Sequence, residues 1–187
     1  MSFAIFSDSS CNLPKAQLEE FQVQIISSSY EREGKLITCP PYPEDFDGHE
    51  YYNFLRNKGV VKTSLIPAAQ MEDAFRPVLA AGEDVLYITL SSGISGTVAS
   101  GLQAAQALME EFPQRQVRVL DSMGAGFGIG LLLGRASDDR KAGLNLDQTY
   151  ASLERDRDNL CEFFTVDDLM FLRRTGRLSG VTATLGT

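Results

Sequence analysis

Residues 84–112 read DVLYITLSSGISGTVASGLQAAQALMEEF. The run from Val85 to Leu90 has the length and the β-branched, aromatic content of a buried strand. Val98, Leu102, Ala105, Leu108, Met109 and Phe112 then recur at helical spacing, and Pro113 ends the pattern. Between strand and helix lies Ser91-Ser92-Gly93-Ile94-Ser95-Gly96-Thr97. A strand, a hydroxyl-rich turn and a helix in that order make an anion site. The first-turn N–H groups and the positive end of the helix dipole face the turn, and small residues admit a ligand close to the backbone. A carboxylate or a phosphate is the expected occupant.

Upstream of this unit, Val61-Lys62-Thr63-Ser64-Leu65-Ile66-Pro67 precedes a helix with Met71, Phe75, Val78 and Leu79 on one face. Thr63 and Ser64 either cap that helix or form a second hydroxyl-bearing turn. A β-α-β crossing would set this turn beside Ser91–Thr97, so that both face one crevice. At the N-terminus, Phe3–Phe6 reads as a strand. Ser7-Asp8-Ser9-Ser10 follows it, where open α/β sheets place ligand groups. Asp8 and Ser9 either reach a ligand or only satisfy the turn. Lys15–Phe21 reads as a short helix and Val23–Ser27 as a strand, whereas Gly34, Pro40, Pro41 and Pro43 make residues 28–47 a connecting segment with at most a short extended piece at Leu36–Thr38. Residues 46–58 have helical spacing. His49, the sole histidine, has no metal or triad partner there and reads as a surface or half-buried helix residue.

Downstream, Val117–Leu120 is a further strand leading into Asp121-Ser122 and a run of glycines from Gly124 to Gly134. That run misses the dinucleotide spacing, because Ile129 and Leu131 stand where G-x-G-x-x-G needs glycine. It reads as a small-residue helix able to lie close to an acyl chain or another helix, with the pattern broken from Ala136 to Gly143. The hydrolase elbow G-x-S-x-G fails as well, Thr97 replacing its second glycine. Leu146–Leu160 is a helix with a charged outer face, Cys161–Val166 a strand, and Asp168–Arg174 a short helix that leads into the arginine cluster Arg173, Arg174 and Arg177. These guanidiniums are either solvated or offered to an anionic head group or a partner.

The expected fold is α/β: a Rossmann-like, mainly parallel N-terminal domain over residues 1–122, then an incomplete second α/β domain over residues 123–187. A net charge of −8 over 187 residues argues against a nucleic-acid groove or an anionic membrane as partner. Three separated cysteines suggest neither a zinc site nor a disulfide framework. No apolar stretch reaches the length of an integral membrane segment, and no signal peptide is legible, so the expected location is cytoplasmic.

Five motifs occur in order: Ser7-Asp8-Ser9, Lys62-Thr63-Ser64, Ile88 through Thr97, Val119-Leu120-Asp121-Ser122, and Phe171 through Ser179. Together they resemble the DegV family of bacterial fatty-acid-binding proteins over nearly the whole chain. The resemblance implies a two-domain α/β protein that encloses one long-chain fatty acid and presents its carboxylate to a separate ATP-dependent fatty acid kinase subunit. It further implies that Thr63 and the Ser95-Gly96 turn hold the carboxylate, with Ser64 and Ser92 close by. Arg173, Arg174 and Arg177 would face the head group or the kinase. No catalytic residue, metal or cofactor is expected beyond the bound fatty acid. The contrasting expectation is a small-molecule phosphotransferase or hydrolase working at the same turns through Asp8, Ser95 or Asp121, with the two aspartates holding a metal. An interaction module built on the arginine cluster is a third reading.

Overall fold

The computed structural model describes residues 3–166. In chain order the elements are β1 (Phe3–Asp8), α1 (Lys15–Phe21), β2 (Val23–Ile26), β3 (Ser29–Arg32), β4 (Lys35–Thr38), α2 (Gly48–Arg56), β5 (Val61–Ser64) and α3 (Ala68–Ala80). They continue as β6 (Asp84–Thr89), α4 (Thr97–Glu111), β7 (Val117–Asp121), α5 (Phe127–Lys141) and α6 (Leu146–Arg157). A four-stranded parallel sheet runs in the order β2-β1-β6-β7, and a separate antiparallel sheet in the order β4-β3-β5.

The central strands β1 and β6 are buried along their whole length, as expected of parallel strands covered on both faces. Alternate residues divide between two cores. Phe3, Ile5, Leu86, Ile88 and Leu120 face Leu18 of α1, Ile129, Leu132 and Leu133 of α5, and Leu146 and Leu153 of α6. Ala4, Phe6, Val85, Tyr87, Val117 and Val119 face Met71, Phe75 and Leu79 of α3 and Ala104, Ala105 and Leu108 of α4. The period of two along each strand thus builds a three-layer sandwich. The helices α5 and α6 belong to the first of these cores, so packing on the sheet continues past Ser122, where the sequence suggested a domain boundary.

The glycine run forms α5, which extends through the polar residues 136–141 rather than breaking there. Gly126 at its N-cap has φ +52°, and a Cβ at Gly130 would stand 2.7 Å from Leu13 Cδ2. Glycine is therefore favoured at the first by backbone conformation, while at the second any side chain would have to displace the end of Leu13, which packs against it.

The segment 28–47 is more ordered than its prolines suggested. Glu33 and Gly34 both have positive φ, 51° and 76°, which is the geometry of a two-residue hairpin turn, and they join β3 to β4. Thr63 and Ser64 lie in β5, paired with Tyr30 and Ser29 of β3. Hence α3 connects the antiparallel sheet to the parallel one, and no β-α-β crossing within a single sheet is involved. Residues 161–166 form no strand; Phe163 and Phe164 lie exposed. The short helix read over Asp168–Arg174 and the arginines 173, 174 and 177 lie outside the described residues.

Candidate ligand-binding site

A cavity of about 830 Å³ lies between the carboxyl ends of β1 and β6 and the small antiparallel sheet. From β1 the chain turns outward to β2, and from β6 it turns the other way to β7, so the crevice marks the point where strand order reverses. Its polar lining comes from three segments: Asp8, Ser9 and Ser10 after β1, Ser28 and Ser29 with Thr63 and Ser64 in the antiparallel unit, and Ser95, Gly96 and Thr97 at the start of α4. Its apolar lining is both aromatic and aliphatic. Tyr30, Tyr42, Phe46 and Tyr51 line one side, while Leu65, Ile66, Leu90 and Ile94 supply aliphatic surface.

The turn from β6 into α4 is organised by its hydroxyls. The amide of Thr97 donates to Ser95 Oγ at 3.2 Å, and the two hydroxyl oxygens lie 2.8 Å apart. The amide of Ile66 donates to Thr97 Oγ1 at 3.5 Å, linking this turn to the segment that leaves β5. Helix α4 begins without a side-chain cap. Its first-turn amides therefore add positive potential at the cavity end that Ser95 and Gly96 line. Across the cavity, Ser9 and Ser28 form a second hydroxyl pair at 2.7 Å, and the amide of Ser28 donates to Ser9 Oγ at 3.1 Å.

Asp8, the last residue of β1, lines the cavity and is 2% exposed. Its Oδ1 accepts from the amide of Ser10 at 2.9 Å and from the Ser10 hydroxyl. Its Oδ2 accepts from the hydroxyls of Thr89 and, at 3.1 Å, Tyr87. Four donors offset the desolvation of the carboxylate. Burial, with the Asp8 carboxylate beside it, holds the Tyr87 phenol well above its ordinary pKa. Burial alone would raise Asp121, but hydrogen bonds from Ser92 and from the Met123 amide, and the charge of Arg157, outweigh it and lower its pKa.

Of the residues read from the sequence, Thr63, Ser64, Ser95 and Gly96 meet on the cavity wall. Ser92 is exposed and does not line it; its amide instead donates to Asp121 Oδ1 at 3.2 Å. Asp8 and Asp121 both spend carboxylate oxygens on N–H and O–H donors. Among the described residues no group of His, Cys, Asp and Glu has metal-binding geometry. His49 is exposed on α2. Ser28, Tyr30 and Tyr51 were not read from the sequence as site residues, and the Glu33-Gly34 hairpin signal is what would have brought the first two into view.

Comparison with known proteins agrees with this architecture. The DegV family, described as uncharacterised proteins, matches residues 2–187. A DegV domain-containing protein from Clostridium perfringens is 31% identical over 99% of this chain and 63% of its own length. One from Lactococcus lactis is 29% identical over 100% of this chain and 64% of its own. Among solved structures, a DegV family protein from Thermus thermophilus, described as fatty acid binding, superposes with a TM-score of 0.84 at 30% identity, covering all of this chain and 64% of that one. A protein from Eubacterium ventriosum described as binding stearic acid gives 0.83 at 27% identity, covering 98% of this chain and 64% of that one. The chain thus spans about 64% of the length of these structural relatives. The family match over residues 2–187 places this chain in the DegV family.

Proposed function

We propose that this protein binds one long-chain fatty acid in the cavity between its two sheets and presents the carboxylate to a separate ATP-dependent kinase subunit. The observation that carries the reading is a cavity lined both by hydroxyls, among them Thr63, Ser64, Ser95 and Thr97, and by aromatic and aliphatic side chains. A carboxylate leaving water needs several donors, which hydroxyls and the open start of α4 supply without a buried lysine. An acyl tail needs only apolar volume, and each buried CH₂ contributes about 0.8 kcal/mol. The cavity also lies within the size range usual for small-molecule sites, roughly 300–1,000 Å³. The fatty-acid-binding descriptions of the Thermus and Eubacterium relatives support the same ligand class.

In this reading the protein is a carrier with no catalytic groups of its own and no cofactor. Arg173, Arg174 and Arg177 serve the head group or the kinase contact. The test is mass spectrometry of lipid extracted from full-length protein purified without detergent, followed by incubation with ATP and the kinase subunit. One acyl chain per protein and acyl phosphate formed only when both proteins are present are expected. Absence of any acyl ligand, or phosphorylation of free fatty acid without this protein, would contradict it.

A further inference from the structure

We propose that Asp8 and Asp121 are positioning residues for the ligand head group, Asp8 by fixing the end of β6 from which the Ser91–Thr97 turn leaves and Asp121 by holding the turn itself at Ser92. The inference rests on the fatty-acid reading above. Strand β6 lies between β1 and β7, so the turn that leaves it can be held from either neighbour. On the β1 side, Asp8 Oδ2 accepts from Thr89, the last residue of β6, and from Tyr87, while Oδ1 fixes Ser10 on the cavity wall. On the β7 side, Asp121 is in register with Thr89, and its Oδ1 accepts from the amides of Ser92 at 3.2 Å and Met123 at 3.0 Å.

Two main-chain bonds tie the same junction: Ser91 N–H donates to Gly124 O at 3.0 Å, and Ser122 N–H to Thr89 O at 3.2 Å. The Asp121 bond to Ser92 reaches beyond the β6–β7 ladder, which ends at Thr89 and Asp121, into the turn itself. That reach matters because the turn contains Gly93 and Gly96, whose backbones are intrinsically loose, yet it must hold Ser95 in hydrogen-bonding position for a carboxylate. The two carboxylates differ in how they do this. At Asp121 both amides share one oxygen, which asparagine also possesses. At Asp8 both oxygens accept, so an asparagine NH₂ would face either Ser10 or the hydroxyls of Thr89 and Tyr87.

The experiment is calorimetric titration of full-length protein with palmitate and, separately, methyl palmitate, which keeps the tail and removes the charged head. Asp121→Ala is expected to weaken palmitate about tenfold while methyl palmitate changes less than about twofold; Asp121→Asn stays within about threefold of wild type for both. Asp8→Asn is expected to weaken palmitate about tenfold, again sparing the ester. Equal losses for both ligands would reduce the aspartates to scaffold and overturn the inference. So would palmitate binding unchanged in Asp121→Ala and Asp8→Asn. Wild-type protein that binds neither ligand overturns the fatty-acid reading itself, a result distinct from either of those.

Discussion

The hydroxyl of Ser95 lies 2.8 Å from that of Thr97, and both oxygens also receive a backbone amide, from Thr97 and Ile66 respectively. One hydroxyl proton bridges the pair, which leaves the other to be donated to an anion in the cavity. Ser95→Ala removes one of the two hydroxyls and the acceptor of the Thr97 amide. Fatty-acid affinity is expected to fall about tenfold, in line with losing one hydrogen bond to a charged group, and displacement of a fluorescent fatty acid measures it.

In the proposed binding mode the tail meets a different set of residues. Tyr51 lines the cavity with its ring 5.3 Å from that of Tyr30 and 5.2 Å from that of Phe46, centroid to centroid. Tyr51→Ala empties part of this wall. It is expected to weaken long chains more than short ones, so a series of fatty acids of increasing length should show a flatter gain in affinity than wild type. The parallel sheet does not depend on this ring, which is absent from both of its cores.

Alkaline pH should destabilise the protein through Tyr87. Its pKa is raised first by burial and then by Asp8, so the folded chain keeps a proton that the unfolded chain loses near pH 10. Stability from this group is complete below about pH 10 and declines as pH rises above it. Denaturant titrations between about pH 9 and 11 should therefore show falling stability, with a shallower fall in Tyr87→Phe. Burial also raises Tyr30, Tyr51 and Tyr150, so the slope is expected to lessen rather than vanish.

At α6, Asn145 and Gln148 form a reciprocal capping box, each side chain accepting from the other's backbone amide. Asn145→Ala should cost about 1 kcal/mol and lower Tm by about 2–4 °C, without changing fatty-acid affinity. Differential scanning calorimetry checks the first part. Unchanged palmitate binding then separates loss of stability from loss of the site.

The sequence was most informative where one local rule dominated. The continuous apolar run 85–90 and the hydroxyls that follow it announced both the buried strand and the start of α4 at the cavity, because a covered parallel strand and a helix start each have a local signature. Thr63 and Ser64 joined Ser95 and Gly96 on the cavity wall, although they reached it through an antiparallel strand. The β3–β4 hairpin with which that strand pairs was less legible, because Pro40, Pro41 and Pro43 mask the turn at Glu33-Gly34, whose positive φ values make the hairpin. Ser92 looked equivalent to Ser95 in the hydroxyl run, but it lies exposed and off the cavity wall, its amide paired with Asp121 at the end of a strand about 30 residues later. Such long-range pairing leaves no local trace. The apolar Phe163 and Phe164 suggested a strand, but β-propensity alone does not supply a partner, and the described structure gives them none.

The central claim is that one fatty acid binds with its carboxylate at the Ser95–Thr97 turn. Titration of ¹³C-carboxyl-labelled palmitate into full-length protein, followed by NMR, tests it most directly. Wild type should give one saturable bound resonance, and Ser95→Ala should shift that resonance and weaken its saturation. No bound resonance in wild type, or one whose position and saturation are the same in Ser95→Ala, would contradict it.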